Sequence, residues 1–260
     1  MVATTLHQTT APFLNNRSIQ PQISTYPNSL QRLIRTLQSS PLLTASQIAE
    51  IMREVSISDQ DLLPWADFTH SCTDSYGRKL VFHGGHFEIM VMSWLPGDFS
   101  AIHDHGATEW GAVQCFSAAE HTIYSFADGL LANPMSAPYT AGMVREVDHH
   151  LIHQMGNASD QPFLSLHVYG CAQAIDSITG NARVFDLLEG TVQYTDGGVF
   201  FCLPETQINQ RDYGLTGDRE TTIMQYRLMR DRLQKILLKH HDIALTQKLT
   251  QLQTKLHLMR

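Results

Sequence analysis

Hydrophobic and polar positions change rhythm three times along the chain. Residues 1–27 are polar, rich in Thr, Gln, Asn and Pro, and carry no sustained period, which predicts a flexible arm. From Ser29 onward Leu30, Leu33, Ile34 and Leu37 recur every three or four positions. Ile48, Ile51 and Met52 repeat that spacing after a break at Pro41. Helices are therefore expected within 28–58, the second capped by Thr44 or Ser46. Across 76–203 short apolar or alternating runs sit between Gly, Pro, Asn and Asp clusters. Residues 80–82, 87–95, 110–116, 121–126, 143–147, 163–169, 182–185 and 199–201 are the predicted strands. Short strands with turn signals predict a mainly β core, an antiparallel sandwich or barrel, over 59–205. Within 206–260 the apolar positions return to helical spacing from Ile223 to Leu256, with no Pro or Gly after Asp218. One or two helices are expected there, covering the barrel or pairing with a second subunit.

Composition narrows the class. The 260 residues are 43 % hydrophobic and 17 % charged, enough apolar material for a sizeable core. With 18 Lys+Arg against 25 Asp+Glu the net charge is −7, which argues against general binding to phosphate backbones. The tail after Asp218 is basic while the rest is acidic, so electrostatic docking is a second use for it. No run is apolar enough to span a bilayer, and no apolar N-terminal stretch reads as a secretion signal. Cys72, Cys115, Cys171 and Cys202 are widely spaced and form no C-x-x-C pair, so they read as thiols in a reducing cytoplasm.

Histidine is the unusual component, with 14 in the chain. His103 and His105 stand two apart, and on a strand both imidazoles project from one face. With Glu109 just beyond, the pair suits a borderline metal such as Fe, Mn, Zn or Ni. Further on, Gly142 precedes His153 by eleven residues and Asn157 follows it after three more. Together the two stretches resemble the cupin motifs G-x5-H-x-H-x3-E and G-x5-P-x-G-x2-H-x3-N. In that family two antiparallel strands supply H-x-H and a neighbouring strand supplies the third histidine. Asp148 and His150 stand where the second motif has Pro and Gly, and Phe116 where the first closes on Gly. His149 and His150 compete for the third place; the register of Gly142 and Asn157 favours His153.

Two more segments narrow the resemblance. Tyr76-Gly77-Arg78-Lys79-Leu80-Val81 resembles the Y-x-R-N-L segment of cysteine dioxygenases, and Ser165-Leu166-His167-Val168-Tyr169 resembles their S-L-H-[LV]-Y segment. This resemblance, covering 76–170, implies a cupin-type β-sandwich and a non-haem Fe(II) thiol dioxygenase turning L-cysteine and O2 into cysteine sulfinic acid. One Fe(II) per chain would be held by His103, His105 and His153. Arg78 would bind the substrate carboxylate, with Tyr76 closing that pocket. Tyr169 would carry a hydroxyl towards the sulfur, oriented by His167. The residue types suit these roles, since a guanidinium fork binds a carboxylate in two bonds and two oxygens on sulfur reach the sulfinic level.

Two positions depart from the family or leave it open. Mammalian members have a cysteine five residues after the second metal histidine, joined to the catalytic tyrosine. Trp110 stands at that count here, so no crosslink and a tighter pocket are expected. Glu109 leaves open a 3-His-1-Glu cupin enzyme. A 3-mercaptopropionate dioxygenase and a non-catalytic metal-sensing cupin are the other readings. The expected partners are a small thiol and O2, with no nucleic acid or membrane, and self-association through the C-terminal helix.

Overall fold

The computed structural model describes residues 23–40 and 42–259. Leu30, Leu33, Ile34 and Leu37 form the buried stripe of α1 (Asn28–Gln38). Thr44 caps α2 (Ala45–Val55): its hydroxyl accepts from the Gln47 amide while the Gln47 side chain reaches back to Thr44. A short α3 (Asp59–Leu62) follows, capped the same way by Ser58 and Asp61. The Pro41 break and most of the expected arm lie outside the described residues. Residues 23–27 do not form an arm. A 3-10 turn (Ile23–Thr25) leads into buried Tyr26, which stacks on Trp65 at 5.4 Å and donates its hydroxyl to the Val81 carbonyl.

The middle of the chain is antiparallel β, as its pattern predicts. One sheet runs in the order β1 (Gly77–His83), β2 (Phe87–Trp94), β8 (Phe163–Gly170), β3 (Trp110–Cys115), β6 (Val144–Asp148). Every residue of β2 and β8 is buried, because α1 and α2 cover one face of this sheet and the second layer covers the other. β2 accordingly reads as a nearly continuous apolar run, whereas β8 alternates Leu164, Leu166 and Val168 beneath the helices with the polar Ser165, His167 and Tyr169.

The second layer has two parts. On one side lie β12 (Thr216–Gly217), β5 (Leu130–Ser136), β4 (Glu120–Ala127) and β7 (Ile152–Gly156). On the other lie β11 (Gln210–Tyr213), β10 (Thr191–Thr195) and β9 (Ala182–Asp186). Residues 98–105 run between β7 and β9 and join them. His103 and His153 exchange backbone hydrogen bonds of 2.9 Å, and the Phe185 amide donates to the Ile102 carbonyl. The H-x-H pair therefore sits on a bridging segment and not on the regular strand expected. Gly97 and Gly106, at φ +83° and +57°, turn the chain in and out and leave too little length for a ladder.

Two boundaries also differ from expectation. Residues 199–201 are not a strand, because side chains take their donors: the Val199 amide goes to the Tyr76 hydroxyl and the Phe201 amide to Ser75 Oγ. The β core also continues past 205 into β11 and β12, so the helical extension begins only at α4 (Arg219–Leu237).

α4 and α5 (Ile243–Leu258) fold back on one another, with Arg219 Nη2 donating to the Met259 carbonyl at 2.7 Å. The break needs neither Gly nor Pro, since the Asp242 carboxylate accepts from the Leu245 amide and starts a new helix. Tyr226, Met229, Leu233, Ile236 and Leu252 pack with Ile102, Tyr124, Ile152 and Phe185 on the outside of the second layer. The tail thus covers its own barrel. No helix among the described residues is long and apolar enough to cross a membrane.

Candidate metal centre and pocket

Between the sheets, three imidazoles converge. His103 and His105 come from the bridging segment and His153 from β7, all buried. His153 Nε2 lies 3.2 Å from His103 Nε2 and 3.1 Å from His105 Nε2. Neighbouring groups set two of the three tautomers. His103 Nδ1 is 2.9 Å from the Ala101 carbonyl, which can only accept, so Nδ1 carries the proton and Nε2 is bare. His153 Nδ1 meets His121 Nε2 at 2.8 Å, and His121 Nδ1 meets the Ala137 carbonyl at 3.0 Å. The same logic leaves His153 Nε2 bare. Two lone pairs facing each other at 3.2 Å repel unless they share a cation. Two nitrogens bound to one metal at about 2.1 Å and a right angle stand about 3 Å apart. The donor set and spacing therefore fit a metal, and three neutral imidazoles suit a first-row divalent ion.

Burial keeps these rings neutral. Loss of solvation lowers the pKa of His103 and His121 to about 4 and that of His167 to about 3, and pushes His105 and His153 well below the usual range. His105 Nδ1 has no hydrogen-bond partner among the described residues; its ring lies against Tyr169 at 4.9 Å.

A cavity of about 40 Å³ opens beside the cluster, and Tyr76, Arg78, His167 and Tyr169 all line it. Arg78 reaches in from β1, with Nη2 donating to Thr179 Oγ1 at 3.4 Å. Tyr76 stacks on Trp94 at 4.8 Å, and its hydroxyl accepts from the Val199 amide at 3.2 Å. Tyr169 ends a buried chain of side chains. Trp94 Nε1 donates to Ser165 Oγ at 2.8 Å, Ser165 Oγ meets His167 Nε2 at 2.8 Å, and His167 Nδ1 meets the Tyr169 hydroxyl at 2.9 Å. Ser165 already accepts from Trp94 and needs an acceptor for its own proton. Donating to His167 satisfies it, so His167 donates in turn to Tyr169 and the phenol proton is free for the cavity. Burial raises the Tyr169 pKa well above the ordinary range, so the phenol stays protonated.

Several expectations change at this site. Glu109 is exposed and its carboxylate accepts from the Ala172 amide at 3.0 Å, away from the imidazoles. Trp110 does not tighten the pocket. It packs in the core beneath α1 and α2, against Gly170, while Gly111 is the cross-strand partner of Tyr169. A Cβ on Gly111 would stand 2.6 Å from Tyr169 Cδ1, so the ring needs that glycine. Residues 106–109 turn, and the five-residue count therefore lands on the wrong face. His149 and His150 are exposed, in the turn that Asp148 closes by accepting from the His150 amide. Asp104, between the two histidines, is held by Arg183 through Nε at 2.5 Å and the backbone amide at 2.7 Å. Sequence reasoning gave no role to His121, Trp94, Ser165, Thr179 or the Asp104–Arg183 pair. Of these only Ser165, inside a quoted motif, and Asp104, inside H-D-H, carried any signal.

The fold and this site define a three-histidine β-sandwich protein. The chain belongs to the cysteine dioxygenase type I family, whose model matches residues 18–175. Cysteine dioxygenase type 1 of Danio rerio is 27 % identical over 154 residues, 55 % of this chain and 75 % of that protein. Cysteine dioxygenase type 1 of Homo sapiens is 26 % identical over 167 residues, 60 % of this chain and 82 % of that protein. Among solved structures, a cupin 2 conserved barrel domain protein from Salinispora arenicola is 20 % identical, with a TM-score of 0.31 over 41 % of this chain and 85 % of that one.

Proposed function

We propose that this chain is a mononuclear Fe(II) thiol dioxygenase oxidising L-cysteine with O2 to cysteine sulfinic acid. The observation that supports this reading is the convergence of three neutral imidazoles on a small cavity also lined by Arg78 and Tyr169, in a chain of this family. Iron held by His103, His105 and His153 would supply the chemistry, favouring the thiolate and bringing O2 to the sulfur. Arg78 receives the substrate carboxylate, and Tyr76 and Thr179 support it. Tyr169, protonated and oriented by His167, donates its hydroxyl to the reacting sulfur end of the substrate. Glu109 is turned away from the face that a chelating thiol needs. Met90, Met92, Met155 and Trp94 give the cavity apolar walls that exclude water. The four cysteines are free thiols, which supports a cytoplasmic setting.

The test loads the protein anaerobically with Fe(II) and measures sulfinate from L-cysteine, 3-mercaptopropionate and cysteamine. One iron per chain and preferred turnover of L-cysteine are expected. Preferred turnover of 3-mercaptopropionate would move the substrate to that acid. Iron binding without any sulfinate would favour the sensor reading.

A further inference from the structure

His121 belongs to no motif, yet it touches the candidate centre from behind. It lies on β4, is 4 % exposed, and places Nε2 at 2.8 Å from His153 Nδ1. Its ring packs edge-on against Tyr139, with centroids 5.2 Å apart, and its Nδ1 sits 3.0 Å from the Ala137 carbonyl. That carbonyl has no proton to give. In a neutral ring His121 must therefore donate from Nδ1 and accept at Nε2. His153 can satisfy this acceptor only by carrying its own proton on Nδ1, which leaves Nε2 bare towards His103 and His105.

We propose that His121 is a positioning residue for the metal centre, setting the tautomer and ring orientation of His153 through a histidine–histidine hydrogen bond anchored on the Ala137 carbonyl. This rests on the reading that His103, His105 and His153 hold a metal. The choice of partner matters chemically. A carboxylate here would add a negative charge and make His153 a stronger donor, whereas neutral His121 orients it and leaves the charge of the centre unchanged.

Two measurements test this on the full chain. In metal-free protein labelled with 15N-histidine, long-range 1H–15N spectra read the tautomer of His153 directly. Competition with a chelator, under anaerobic conditions, reads the affinity for Fe(II). His121→Leu removes the acceptor, while His121→Gln keeps an oxygen able to accept. The wild type should hold His153 as the Nδ1–H form. His121→Leu should mix the tautomers and weaken Fe(II) about 10- to 100-fold, with His121→Gln restoring most of that loss. Should His121→Leu not fold, His121→Phe keeps a ring beside Tyr139 without an acceptor and serves the same arm. An unchanged His153 tautomer in the acceptor-free variant would overturn the proposal. So would a folded His121→Gln as weak in Fe(II) as His121→Leu. A wild type that binds no Fe(II) would sink the metal reading alone, because the tautomer comparison needs no metal.

Discussion

If Arg78 receives the substrate carboxylate as proposed, its guanidinium separates thiols that carry a carboxylate from those that do not. Arg78 is half-buried and contacts Thr179. Removing a charged hydrogen-bond partner from such a site costs roughly 1.5–3 kcal/mol, or about 10- to 150-fold in kcat/KM. Arg78→Ala should lose that much with L-cysteine and little with cysteamine, which has no carboxylate. Equal losses in steady-state assays of both would mean that Arg78 only supports the fold. Arg78, His103, His105 and His153, each inside a quoted motif, do come together around one cavity. His121, Trp94 and Arg183 were not legible in the sequence, because each acquires its partner only through tertiary folding. Trp110 and Gly111 show the limit of counting: one residue of register decides which side chain meets Tyr169.

Elements were legible where their periods were long. The stripe of α1 was plain in the sequence, the cap of α2 lay between Thr44 and Ser46 until the structure gave it to Thr44, and the strands of the first sheet were found by their apolar or alternating runs. β5, β7, β10, β11 and β12 escaped. β5 carries Pro134 and a left-handed Asn133 at φ 55°, and β11 and β12 have only four and two residues. α4 then reaches both segments that carry the imidazoles. Gln225 accepts from Gln154, the residue next to His153, at 3.1 Å, and Arg232 pairs with Asp98 at 2.7 Å. His70 also meets Asp98, at 3.1 Å, and that hydrogen bond chiefly raises the His70 pKa. A pKa higher in the folded state means that protonated His70 stabilises. Its contribution is full below the unfolded value of about 6.5 and fades as pH rises through the folded value. Thermal melts should therefore show His70→Gln trailing the wild type most on the acid side and converging with it at alkaline pH. A gap that widens with rising pH would reject this assignment.

Over the whole molecule the order is helices, sheet, candidate site, sheet, helices. The tail lies beyond the family match at 18–175 but completes the outer core of the second layer. Removing residues 219–260 would expose Ile102, Tyr124, Leu131, Ile152 and Phe185 together. Such a continuous apolar face promotes aggregation, so the shortened chain should aggregate or bind a hydrophobic dye strongly. A monomeric shortened chain with an unchanged melt would show instead that the tail is dispensable. Dioxygenation of a thiol at the three histidines and the pocket beside them is read most directly from turnover of L-cysteine by the iron-loaded full chain under 18O2, with the product weighed by mass spectrometry. Cysteine sulfinic acid with both sulfinate oxygens labelled is expected; unlabelled or singly labelled product, or none from a fully loaded protein, would rule that chemistry out.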